Sequence, residues 1–128
     1  MQYKKRKPYK YKLHSNCCIE VDIVELRESQ CEYLRLFGKT LLIKKGYTWD
    51  GASGAIDTKN IMLGALVHDA LYQLIREGVI GIEDRDKCDK ILQKICESEG
   101  MSKFRAWLVY KAVKRFGASA AKSRIITI

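Results

Sequence analysis

Proline occurs once in this chain of 128 residues, and glycine nine times. With 47% hydrophobic and 30% charged residues, that scarcity excludes a collagenous, low-complexity or disordered chain. No apolar run approaches the ~18 residues of a membrane span, so no transmembrane helix is expected. The basic N-terminus is followed by a polar stretch from Tyr9 to Asn16, which does not read as a secretory signal. No Cys-x-x-Cys pair exists among the five cysteines, Cys17, Cys18, Cys31, Cys88 and Cys96. A zinc knuckle and a thioredoxin-like centre are therefore not expected, and the cysteines read as reduced thiols in a cytosol. There is no P-loop, no dinucleotide-binding glycine fingerprint and no Gly-x-Ser-x-Gly elbow. What remains has the length of one domain, 1–128, with a core large enough to need neither metal nor disulfide.

Acidic residues are absent from both ends. Residues 1–12 and 100–128 together hold 13 basic residues and no acidic one, whereas residues 13–99 hold 11 basic and 15 acidic residues. The net charge is +9. Single-sign clustering of this kind predicts an anionic partner, either a nucleotide-like small molecule or nucleic acid; the plainer reading is a solvated basic face.

Hydrophobic periodicity divides the chain. Tyr9–Leu13, Ile19–Ile23 and Tyr33–Phe37 alternate with period two, as half-buried antiparallel strands do. Gly38-Lys39 before Thr40–Lys44 predicts a type II′ hairpin, and Arg27–Gln30 an earlier turn. Residues 1–8 read as a basic tail. Three helices follow. The first is capped by Asp57 or Thr58, ends near Arg76 and is stopped by Gly78. The second runs from about Glu83 to Ser98, before Gly100. The third is capped by Ser102, has Phe104, Leu108, Val109, Val113 and Phe116 inward, and stops at Gly117. Strands before helices predict an α+β domain, with an N-terminal antiparallel β-meander (9–48) packed on a C-terminal three-helix bundle (58–117). Residues 118–128 read as a tail whose β-like end, Arg124–Ile128, suits an edge-strand pairing.

Gly46–Gly54, which contains Tyr47, Trp49, Asp50 and Ser53, is too rich in glycine and small residues for a regular element. It reads either as a backbone cradle for a ligand or as an ordinary sheet-to-helix connection with an Asp-Gly turn. His68 and Asp69 lie on otherwise apolar stripes of the first helix, where a carboxylate requires a partner. Arg85 and Asp89 share one face of the second helix, four residues apart. Three readings stay open. Asp50, His68, Asp69 and Asp89 converge on a divalent metal and activate water. Alternatively, Arg85 pairs with Asp69 or Asp50 and His68 bonds a backbone carbonyl of the loop, in a structural network that pins the glycine loop against the helices. The same groups could also border a site for a non-metal ligand. Trp49 is a core anchor or a stacking ring. Trp107 and Tyr110, among Arg105, Lys111 and Lys114, read as helix packing or as rings that stack bases.

The run from Gly46 and Tyr47 to Asp50-Gly51-Ala52-Ser53 resembles the signature of a small phage and prophage family, known only as a domain of unknown function. The resemblance continues through Leu66-x-His68-Asp69-x-Leu71-Tyr72, Arg85 with Asp89, and Tyr110–Gly117, and covers about residues 40–117. The chain departs from the pattern after Ser53, with Gly54-Ala55-Ile56 in place of an apolar residue and proline. The resemblance implies a phage origin, a location in the cytoplasm of the infected bacterium, and one cluster of Asp50, His68, Asp69, Arg85 and Asp89. It implies no activity.

Together these features favour a binding module for an anionic, nucleotide-like ligand, by analogy one that sequesters a signal of host immunity. Arg85, Lys111, Lys114 and Arg115 are the expected phosphate contacts, with Tyr47 or Trp49 stacking a base and Ser53 in the glycine loop. No cofactor and a homo-oligomer go with this reading. The alternative is a metal-dependent hydrolase of phosphoester or cell-wall bonds. There His68, Asp69 and Asp89 hold the ion and Asp50 orients water. A third reading is a virion or lysis accessory protein that binds nucleic acid.

Overall fold

The computed structural model describes residues 3–5, 11–25, 31–49 and 59–120. Among these residues five strands precede three helices, β1 (Tyr3–Lys5), β2 (Tyr11–Leu13), β3 (Cys17–Glu25), β4 (Leu34–Ile43) and β5 (Thr48–Trp49), then α1 (Lys59–Arg76), α2 (Arg85–Ser98) and α3 (Lys103–Ala120). The class is α+β. The strands form two antiparallel sheets, ordered β1-β2-β5 and β3-β4, rather than one meander. β1 falls within the stretch expected as a tail and pairs with β2 from Tyr3↔Leu13 to Lys5↔Tyr11.

β4 corrects the expected hairpin at Gly38-Lys39. The strand runs unbroken through both residues. Leu34 and Leu36 are buried on one phase, Leu41 and Ile43 on the other. A change of phase within a strand requires a bulge, since side chains alternate with period two. Gly38 lies where the phase changes, at φ +59°, and pairs with Glu25 beyond a break in register. The surplus residues of that break lie on β3, between Glu20 and Glu25, so β4 changes phase at a left-handed glycine without turning back.

α1 is largely buried. Buried residues surround it, from Ile61 and Met62 through Gly64–His68 to Leu74 and Ile75, as befits a helix packed on several sides. At its end Gly78 (φ +76°) donates to the Ile75 carbonyl at 3.0 Å and Val79 to that of Leu74 at 2.9 Å. These two bonds define a Schellman stop. α2 ends in the same way: Gly100 bonds to Glu97 at 3.1 Å and Met101 to Cys96 at 3.0 Å. α3 begins as expected, with Ser102 Oγ accepting from the Arg105 amide at 3.2 Å. It does not stop at Gly117 but continues to Ala120. The helix runs through Gly117, and a glycine in a helical conformation does not end a helix.

The main core joins Tyr11, Leu13, Val21, Ile23, Leu36, Ile43 and Trp49 of the sheets to α1 and to Cys88, Ile91 and Ile95 of α2. A second core joins the helices through Ile61, Leu92, Cys96, Met101, Ala106 and Val113. α3 is thus held by Ala106, Tyr110 and Val113, at spacings of four and three. Of the side chains expected inward on α3, Phe104 and Leu108 instead face solvent, 67% and 45% exposed, and so does Trp107 at 44%. All five cysteines are free thiols; Cys88 and Cys96 are buried and Cys18 is exposed. Among the described residues no helix is long and apolar enough to cross a membrane.

Candidate functional site

Two i,i+4 pairs face each other across the α1–α2 contact: His68 and Tyr72 on α1, Arg85 and Asp89 on α2. Asp89 is fully buried. Its Oδ1 lies 2.7 Å from His68 Nε2 and accepts the Tyr72 hydroxyl at 2.5 Å. A carboxylate only accepts, so His68 carries its proton on Nε2 in this pair. The His68 and Tyr72 rings lie with centroids 4.2 Å apart. Asp89 Oδ2 makes no hydrogen bond and faces the Arg85 guanidinium at 3.7 Å. Arg85 also donates to the Lys114 carbonyl at 3.2 Å, tying the start of α2 to α3. Burial, and then the bond to Asp89, push the Tyr72 phenol well above its ordinary range, against an opposing effect from Arg85.

The expected convergence is therefore met in part. Asp89, His68 and Arg85 meet, and Tyr72 completes the group. Asp69 is half-buried, and its charge acts instead on Tyr47. Arg85 pairs with Asp89 on its own helix, where pairing with Asp69 or Asp50 was expected. Asp50 and Ser53, and the cap at Asp57 or Thr58, lie outside the described residues. Among the described residues no three His, Cys, Asp or Glu side chains are grouped to hold a metal. The trio His68, Asp69 and Asp89 thus does not form a ligand set. The donor chemistry agrees: one Asp89 oxygen is occupied twice and the other faces a fixed cation. What the arrangement does is fix the imidazole in one tautomer and lock α1 to α2.

Tyr47 and Trp49 occupy the core. Tyr47 is buried and donates to Gln73 Oε1 at 3.1 Å. Burial, then the charge of Asp69, raise its phenol far above the ordinary range. Trp49 is buried against Tyr11, with centroids 5.4 Å apart. Base stacking thus needs other rings.

α3 supplies them. Phe104, Trp107, Leu108 and Lys111 recur at three, four and seven along one outward row. The Phe104 and Trp107 rings are near-parallel, with centroids 6.2 Å apart and planes 26° apart. Lys111 Nζ stands over the Trp107 ring at 5.5 Å. α3 carries Lys103, Arg105, Lys111, Lys114 and Arg115 and no acidic residue. Lys114 is engaged, with Nζ 3.3 Å from the Tyr110 hydroxyl and 3.6 Å from Asp86. Tyr110 in turn donates to Asp86 at 2.5 Å, and this bond is the first cause holding the Asp86 carboxyl below its usual range. Arg85 and Lys114, both expected phosphate contacts, are thus already partnered within the fold. Lys111 and Arg115 are exposed. The outward row was missed in the sequence because α3 has apolar residues on two faces. The marker was Ala106 with Tyr110 and Val113, since a small alanine at a helix contact lets the backbones approach.

A family model described as "Protein of unknown function (DUF1353)" matches residues 26–113. No curated protein matches the chain, and no solved structure does.

Proposed function

This chain belongs to the DUF1353 family of proteins of unknown function, and we propose that it is a binding module for an anionic, nucleotide-like ligand. One observation carries the reading. Phe104, Trp107 and Leu108 are exposed together on a helix that bears five bases and no acid. Single exposed apolar side chains are ordinary, but a contiguous row containing two stacked rings is what a binding surface requires. Cations beside aromatic faces supply both halves of nucleotide recognition, charge for phosphate and a ring for the base.

A phage origin, action in the cytoplasm of an infected bacterium and sequestration of a host immune signal complete the proposal. They are supported by the motif resemblance and the net charge of +9. A homo-oligomer belongs to it through a face other than α3, since α3 would meet its own copy with like charges. The metal-dependent hydrolase draws no support from the donor set around Asp89.

The test is calorimetric titration with mononucleotides and cyclic dinucleotides at low salt. Binding that weakens with added salt, and weakens further in Lys111→Glu, is the expected result. No binding of any nucleotide or polynucleotide overturns the reading.

A further inference from the structure

We propose that the ligand of the α3 face is a polymer, single-stranded nucleic acid, whose bases stack on Phe104 and Trp107 while Lys103, Arg105 and Lys111 meet its phosphates. This rests on the anion-binding reading above and assigns its partner. The site is an extended ridge rather than a pocket: the aromatic pair lies at one end of an 18-residue helix, and bases continue along its length. Such a ridge suits a strand lying along it. A mononucleotide placed there would be contacted on one side only.

Three features favour unpaired bases over other occupants. Both aromatic residues are exposed, at 67% for Phe104 and 44% for Trp107, and duplex DNA keeps its own base faces stacked and out of reach. Among the described residues, no ion pair involves Lys103, Arg105 or Lys111. Finally, the Lys111 ammonium held over the Trp107 ring keeps a hydrated charge at that ring. A bilayer interior would expel that charge, whereas a phosphodiester backbone would neutralise it. A second copy of the chain is disfavoured by the like charges.

Magnitudes follow from the geometry. At ~1.5 Å per residue α3 is about 27 Å long, which a stacked strand at ~3.4 Å per phosphate covers with about eight nucleotides. Three phosphate contacts predict a slope near ~−2 for log K against log salt. Loss of one stacked base weakens binding about 10- to 100-fold.

The experiment is fluorescence anisotropy of the full chain with labelled oligothymidylates of about four, eight and sixteen nucleotides. A duplex, AMP, and vesicles of phosphatidylserine with phosphatidylcholine serve as competitors. The proposal expects affinity to rise steeply up to about eight nucleotides and only weakly beyond, with the duplex and vesicles competing poorly. Trp107→Ala should lose the stated factor and Lys111→Gln should flatten the salt slope, both with an unchanged melting temperature. The polymer proposal is overturned, and the anion-binding reading kept, if AMP competes as well as the octamer. It is also overturned if the duplex or the vesicles bind better, or if Trp107→Ala binds as wild type. If neither nucleotides nor oligomers bind, the anion-binding reading itself fails.

Discussion

Asp89 has one oxygen that accepts from both His68 and Tyr72 and another that meets only a guanidinium at 3.7 Å. A fully buried carboxylate tolerates this only because three side chains surround it, and removing it strands all three. Asp89→Ala should therefore cost about 3–5 kcal/mol, read as a lower urea midpoint at unchanged slope. Tyr72→Phe removes one of two donors on a shared oxygen and should cost only about 1 kcal/mol. Equal losses in the two variants would contradict the shared-oxygen arrangement. The sequence pointed to His68 and Asp69 because they lie on apolar stripes, where a carboxylate requires a partner, and to Asp89 because it shares a helix face with Arg85. It did not show which partner, since the rotation of α1 against α2 decides whether Asp69 or His68 faces Asp89.

The α1–α2 contact turns on Gly64. A Cβ there would lie 2.7 Å from Leu92 Cδ1, 3.1 Å from Cys96 Sγ and 3.3 Å from the Leu92 carbonyl. The leucine tip can rotate, but the carbonyl belongs to a helix backbone, and Leu92 is itself buried. Gly64→Ala gains up to ~1 kcal/mol of helix propensity and loses about 1–3 kcal/mol to overpacking. Thermal unfolding should show net destabilisation, and a stabilised variant would mean that the helices have room. Element types were largely legible in the sequence, because period-two and helical spacings are local properties. Helix ends were legible at Gly78 and Gly100, where glycine takes a left-handed conformation. They were not legible at Gly117, and Gly38 was read as a turn where it lies within β4 beside a break in register. A glycine can sit inside a strand or a helix as well as at an end, and tertiary context chooses between them. The inward face of α3 was misjudged for a related reason: Phe104 and Leu108 are more hydrophobic than Ala106, but the contact selects size.

At the scale of the whole molecule, the fold separates its tasks. The sheets, α1 and α2 form one core, and α3 is attached through a second, leaving Phe104, Trp107 and Leu108 of its outer row exposed. The two cores each bury a thiol. Burial, the first cause in both, pushes Cys88 up to about 12 and Cys96 up to about 11 from an ordinary 9.0. A group whose folded pKa is raised contributes stability fully below its unfolded pKa and loses it as pH rises through the folded value. Stability should therefore hold up to about pH 9 and fall between there and about pH 11–12. Tyr47 and Tyr72, also raised, act in the same direction at higher pH. Urea midpoints at about pH 8 and about pH 10.5 check this, and the double variant Cys88→Ala, Cys96→Ala should show a smaller drop. An unchanged midpoint in the wild type would contradict the burial of these thiols.

The proposed function divides the molecule into a buried Asp89 group that holds helices together and an α3 surface that would meet the partner. Amide nuclear magnetic resonance during titration with an oligothymidylate separates the two. Shifts concentrated on residues 103–115, with the His68, Tyr72 and Asp89 signals unmoved, are the predicted result. Shifts centred on His68, Tyr72 and Asp89, with α3 silent, would contradict it.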